Sequence, residues 1–309
     1  MQRRKTFWTF YFRLWTTFME DTVETLRRIH SWRLTLAFCV ALGVWLLLQP
    51  LTAHAEEIVV TSTLDSGAGT LRQAIADAAS GDTIVFTDSM SIYLDSELSI
   101  AKTLTVDGGV YTVTVSGDSG NDGSRNVRAF NISAGSVVTL AHLTIIDCDS
   151  GEGAGIYNAG DLTVIGCNIS NNSASSSVSG GGAIKNHEGI LTVRDSVLAN
   201  NSGTIGGAIL GRRGSVVLQN STLSGNSAST TGGAAVYHYD IKYPWVESSL
   251  TVLSSTFAHN SSWYGGGIRA EYVNLVVQHS VFAYNTAQDT GGGIYFWNDS
   301  KRFSFHYSG

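Results

Sequence analysis

The sequence predicts an all-β solenoid of short parallel strands opened by one short helix, and three observations predict it. The first is a repeat. Leu191 to Ile209, LTVRDSVLANNSGTIGGAI, can be laid over its neighbours with aliphatic, small and Asn positions at offsets 0, 2, 5, 7 and 10. Five segments align without a gap: Leu162/Val164/Cys167/Ile169/Asn172, Leu191/Val193/Ser196/Leu198/Asn201, Val216/Leu218/Ser221/Leu223/Asn226, Leu250/Val252/Ser255/Phe257/Asn260 and Leu275/Val277/Ser280/Phe282/Asn285. Leu143/Ile145/Cys148 reads as an earlier, degenerate copy with Gly153 in the Asn position. The second is a glycine-rich step that ends each copy on an aliphatic residue, at Ile156, Ile184, Ile209, Val236, Ile268 and Ile294. The third is the period: copies start at 143, 162, 191, 216, 250, 275 and 303, too short for propeller blades, and their internal spacing of two does not fit helical repeats.

Stacked in parallel, such coils lie about 4.8 Å apart and set equal offsets over one another. Asn172, Asn201, Asn226, Asn260 and Asn285 then form an inward ladder whose amides bond along the stack. The paired glycines mark backbone that needs positive φ or approaches too closely for a Cβ.

Phe257-Ala-His-Asn260 and Phe282-Ala-Tyr-Asn285, each followed by Gly-Gly-x-aliphatic, resemble the FxxN and GGA(I/L/V) repeats of polymorphic outer membrane proteins, with Ile169, Leu198 and Leu223 replacing Phe elsewhere. The resemblance covers roughly 143 to 309 and implies a right-handed single-stranded parallel β-helix, similar in fold to pectate lyases. Residues 58 to 145 also resemble an N-terminal domain named for its CSLREAI motif, here Thr70-Leu-Arg-Gln-Ala-Ile75, then Asp82 to Phe86, LTVDG at 104 to 108 and AFNISAGSVVTLAHLTI from 129. Gly69 stands in place of that motif's Cys and Gln73 in place of its Glu.

Three regions follow in chain order. Residues 1–55 have seven Lys/Arg against three Asp/Glu, net +4, with an apolar run from Leu34 to Leu48 and then Ala53-His54-Ala55. That pattern predicts a secretory signal with an extended basic region, cleaved near Ala55, with Met19 as an alternative start. Cys39 follows Phe38 and reads as ordinary signal core.

Residues 56–142 are expected to be a cap and irregular first coils. Glu57 to Thr63 alternates as a strand, and Asp65 to Gly69 is a turn. Thr70 and Gln73 form a capping box, Leu71, Ile75 and Ala78 share a helix face, and Gly81 stops the helix. This helix should cover the open end of the stack. Further strands are expected at 82–86, 91–94, 103–106 and 111–116. The loop 117–126 contains Asp118 and Asp122 but lacks the glutamate of a calcium loop, so it reads as a solvated turn, and no metal or cofactor is expected.

Residues 143–309 hold the regular repeats, and Phe303, Phe305 and Ser308 start a further coil that stops at Gly309, as if truncated. Insertions fall at SASSSVSG (173–180) and after Val236, where Tyr237, Tyr239, Tyr243 and Trp245 cluster. Trp263, Tyr264, Tyr295 and Trp297 lie nearby in sequence. Solenoid insertions usually emerge on one face, and Tyr and Trp offer flat apolar surface with a polar edge, so these eight residues are the candidates for ligand contact.

Enzymatic motifs with Ser, Cys, zinc or phosphate chemistry are absent from the sequence. Asp147 and Asp195, both placed at offset 4 and two coils apart, would stand about 9 to 10 Å from each other with Arg194 adjacent, near the upper spacing of an inverting glycosidase. Cys148 and Cys167, both placed at offset 5 of adjacent coils, would be within disulfide range or would remain two free thiols in a column of small residues.

Residues 56–309 have 12 Lys/Arg against 22 Asp/Glu, net −10, which argues against nucleic-acid binding. The reading that results is a secreted or cell-surface adhesin-like or structural module, contacting glycans or host or neighbour-cell surface proteins. Contact with a membrane is expected only through the signal or a missing C-terminal anchor. A polysaccharide lyase or glycoside hydrolase is the alternative, and a non-functional fragment of a longer surface protein is another.

Overall fold

A computed structural model describes residues 19–24, 27, 55–174, 180–240 and 248–297. The chain divides into two compact units, Met1–Ala53 and His54–Gly309. Of the first, residues 19–24 and 27 are helical. The apolar run Leu34 to Leu48 of the signal, the middle of the Ser-rich insertion, Tyr243, Trp245 and the terminal Phe303, Phe305 and Ser308 lie outside the described residues.

The second unit is a parallel β-helix whose strands stack into four sheets. The first sheet has nine strands, from Glu57–Val60 to Asn274–Gln278. The second has eight, from Met90–Tyr93 to Val281–Ala283. The third has five short ones, from Ser173–Ala174 to Thr286–Thr290, and the fourth has eight, from Leu98–Ile100 to Ile294–Trp297. From Asp161 on, each coil passes through them in that order, whereas earlier coils have no strand in the third, and the alternating apolar residues face one continuous core.

Register follows the repeat. Leu162, Leu191, Val216, Leu250 and Leu275 pair strand to strand in the first sheet. Ile169, Leu198, Leu223, Phe257 and Phe282 do so in the second, where the two Phe rings stack at 4.6 Å and 6°. The corners flanking the second sheet are left-handed. Offset 4 has positive φ at His142, Gly166, Asp195, Asn220, Ser254 and His279, and offset 9 at Asp147, Asn171, Asn200, Gly225, His259 and Tyr284. Asn, Asp and Gly recur there because they tolerate that conformation best.

The Asn ladder forms as expected. Asn201 Nδ2 donates to the Ile169 carbonyl at 2.9 Å and to Asn226 Oδ1 at 3.1 Å, while its Oδ1 accepts from the backbone N–H and Nδ2 of Asn172, both at 3.0 Å. The same pattern continues through Asn226, Asn260 and Asn285.

The degenerate copy begins five residues earlier than the sequence suggested. Val138 and Leu140 pair with Leu162 and Val164, and Ile145 pairs with Ile169. Leu143 therefore takes the Ser/Cys position, its N–H donating to Cys167 Sγ at 3.4 Å, and Cys148 takes the Asn position, its N–H donating to Asn172 Oδ1 at 3.0 Å. The physical reason is that offsets 0/2 and 5/7 are both aliphatic-x-aliphatic pairs, so VTLAHLTI fits either frame.

The N-terminal helix spans Leu71–Asp77 and buries Leu71, Ala74 and Ile75 against the first coil. Thr70 Oγ1 accepts from the Gln73 N–H, but Gln73 Nε2 turns to Asp77 Oδ1 at 2.7 Å instead of closing a box. The helix stops before Gly81, at Ala78. Lys102 Nζ, from the next coil, donates to the Ile75, Ala76 and Ala78 carbonyls at 3.0, 3.2 and 2.6 Å, satisfying and charge-complementing that end. In the 117–126 loop the Asp118 carboxylate accepts from the Asp122 and Gly123 N–H groups, which makes it a turn device.

Candidate functional site

The glycine step leads into the fourth sheet, whose inner positions are the aliphatic residues Ile156, Ile184, Ile209, Val236, Ile268 and Ile294. The next residue of each strand points outward, giving a column of Tyr157, Lys185, Leu210, Tyr237, Arg269 and Tyr295. Two residues on, a second outward column holds His187, Arg212, Tyr239, Glu271 and Trp297. Glycine makes room for the first column. A Cβ on Gly206 would stand 2.8 Å from the Ile209 carbonyl and 3.0 Å from Leu210 Cβ. Outward residues consequently sink against backbone: Lys185 is 3% and Leu210 0% exposed.

The side chains of this face organise one another. Arg269 lies over the rings of Tyr237, Tyr264 and Tyr295 at 4.8, 4.9 and 5.5 Å, and its guanidinium pairs with Glu271. Tyr237 donates to Glu271 Oε2 at 2.8 Å and stacks on Tyr239 at 4.9 Å. Earlier in the stack, Tyr157 stands 5.4 Å from Arg128 and 6.1 Å from the His187 ring, and Lys185 pairs with Glu152 at 2.7 Å. Burial pushes the phenols of Tyr157, Tyr237 and Tyr239 upward, with Glu271 adding to the shift at Tyr237, so these hydroxyls stay protonated donors. Burial, then Lys185, lowers His187, which keeps its ring neutral.

Among the described residues, the buried side-chain nitrogens without a hydrogen-bond partner belong to four residues, and three of these, His187 (Nδ1), Arg212 (Nε) and Arg269 (Nη1), lie on this face. The fourth, His238, points into the core above Gly211, and burial lowers its pKa to about 4.

Residues 128–307 match the family model for the right handed beta helix region. The chain belongs to that family. The right-handed β-helix is also similar to the crystal structure of jun a 1, the major allergen from cedar pollen, at 14% identity and a TM-score of 0.38, covering 82% of this chain and 83% of that one. Comparison with the curated proteins finds no match.

The β-helix gathers Tyr237, Tyr239, Tyr264, Tyr295 and Trp297 on one face, and Trp263, 44% exposed, precedes Tyr264 at its edge. Sequence reasoning missed Tyr157, Lys185, His187, Arg212, Arg269 and Glu271. The available signal was positional: each stands one or three residues after the aliphatic end of a glycine step.

The carboxylate pair is not assembled. Because the early coil starts at Val138, Asp147 belongs to the offset-9 corner beside Asn171, whereas Asp195 belongs to the offset-4 corner beside Gly166 and Asn220. These corners flank opposite ends of the second sheet. Asp147 meets Arg125 at 3.5 Å, and Asp195 meets Arg194 at 3.5 Å and Asn220 at 3.3 Å.

The same shift separates the cysteines, which are both free and buried. Cys148 Sγ turns to the Ile146 carbonyl and Cys167 Sγ to the Ile165 carbonyl, as Ser196 and Ser221 do with the carbonyls two residues before them. Burial raises the thiols to about 12 and about 11, leaving them unreactive.

Proposed function

We propose that this right-handed β-helix is an exported, adhesin-like binding module of the polymorphic outer membrane protein kind, with a CSLREAI-like cap, in which the coil stack is a rigid spacer and the outer face of the fourth sheet contacts glycans on a partner surface. The observation that carries the reading is the set of rings Tyr157, Tyr237, Tyr239, Tyr295 and Trp297 on that face, joined over Arg269 by Tyr264 of the third sheet and interleaved with hydrogen-bonding charged groups. Flat rings beside fixed polar groups suit sugar rings, which present one apolar face and a rim of hydroxyls. Host or neighbour-cell surface proteins are the other class of partner, and an aromatic-rich face would serve them too.

Binding of the protein to an array of neutral and acidic glycans tests the reading, compared with a Tyr239→Ala/Tyr295→Ala variant. Retention of selected glycans that the double variant loses is the expected result. Equal binding by both proteins, or binding to none of the glycans, would sink it. Export is tested separately by sequencing the N-terminus of protein recovered outside the cell, expected to begin just after Ala55.

A further inference from the structure

Among the described residues, charge pairing along the fourth-sheet face leaves one cation over. Arg128 pairs with Glu97 at 2.7 Å, Lys185 with Glu152 at 2.7 Å, Arg213 with Glu188 at 2.7 Å and Asp240 at 3.6 Å, and Arg269 with Glu271. Among the described residues, the Arg212 side chain has no hydrogen-bond or ion-pair partner. It sits in register between His187 and Tyr239 in the second outward column. Its Nε and the neighbouring His187 Nδ1 are both buried without a partner.

We propose that Arg212 receives one anionic oxygen group, a carboxylate or a sulfate, carried on a sugar ring that packs on Tyr239; the proposal rests on the glycan-binding reading and narrows it to acidic sugars. A planar guanidinium without a side-chain partner is suited to bidentate recognition of such groups, and an aromatic neighbour places a ring beside it. A neutral sugar would satisfy the donors without matching the charge. General attraction cannot substitute for the site, because residues 56–309, with 12 Lys/Arg against 22 Asp/Glu, are net −10 and repel polyanions at long range. The recognition is local.

The test measures binding of the full chain by calorimetry to a polyuronate, to the same polymer with its carboxyls reduced, and to a sulfated polysaccharide. The polyuronate or the sulfated polymer should bind at least about tenfold more tightly than the carboxyl-reduced one, and the preferred polymer identifies the group. Arg212→Gln should lose about tenfold or more for the charged polymer and clearly less for the neutral one. Arg212→Lys, which keeps charge but not the fork, should fall between. Melting curves establish that the variants fold, and if Arg212→Gln does not fold, Arg212→Lys together with the wild-type preference decides.

Wild-type-like binding of charged polymer by the folded Arg212 variants, or equal binding of charged and reduced polymers, would overturn the proposal. If Tyr239→Ala weakens every polymer while Arg212→Gln weakens none, the acidic-sugar inference fails and the glycan reading stands. If the wild type binds none of the polymers, both fail.

Discussion

The Asn ladder and the outer face of the fourth sheet are both polar columns built one residue per coil, yet they end in opposite states. In the ladder each internal amide makes its full set of hydrogen bonds, as Asn201 does with Ile169, Asn172 and Asn226. On the fourth sheet the residue type changes at every coil, and His187, Arg212 and Arg269 retain unpartnered nitrogens. Identical side chains in register can satisfy one another, whereas a varied column leaves donors for something outside the chain. Repetition stabilises, and variation is where recognition can be encoded.

The largest expected effect breaks the satisfied side. Asn201→Ala removes the partner of four polar contacts in the core and should cost about 4 kcal/mol, seen as a lower melting temperature with glycan binding unaltered below the transition. An unchanged melting temperature would remove the ladder as a source of stability.

Next comes His238, polar but unpartnered on the inner side of the fourth sheet. Burial lowers its pKa from 6.5 to about 4, so it is neutral in the fold, and the unfolded chain takes up its proton first as pH falls. Stability should therefore be fully present above pH 6.5 and decline towards pH 4, by about 3 kcal/mol from this group. Melting curves of wild type and His238→Phe across that window decide it, since the variant should lose this part of the pH slope. Phe296 already occupies the same column, so an aromatic ring has a precedent there.

On the open side, Tyr239→Ala should alter stability by no more than about 1 kcal/mol while reducing glycan binding. A large stability loss with binding intact would make this face structural instead. The smallest effect extends the ladder. Cys148 holds the Asn position, and Cys148→Asn should add hydrogen bonds towards Asn172 and the preceding coil, raising stability by about 1 kcal/mol in chemical denaturation. A destabilised variant would show that the early coil, where Gly117 lies against Cys148, is too tight for an amide.

The coil stack was legible in the sequence because parallel in-register pairing forces each offset to keep its chemistry, and this is visible from Leu162 to Asn285 without any structure. The frame of the coil that starts at Val138 was not legible, because two aliphatic pairs five residues apart can exchange roles when the Asn that distinguishes them is Cys148. That one ambiguity produced both the carboxylate pair and the stacked cysteines. The face proposed to bind was half legible. Aromatic clustering pointed to Tyr237 and Tyr295, but Arg212 and Arg269 have no pattern of their own, and only the register of the fourth sheet shows that they stand beside those rings.

That register has a consequence for how such a molecule can change. Each coil contributes one residue to each outward column and closes its hydrogen bonds with whichever neighbours it meets, so a coil such as 191–215 behaves as an interchangeable cassette. Its duplication would lengthen the stack by about 4.8 Å while inserting a second Leu210 and Arg212 between existing neighbours. Gain or loss of coils by unequal recombination would rewrite the order of side chains that a polymer meets along the face, letting specificity shift in whole-coil steps without any single mutation in the core.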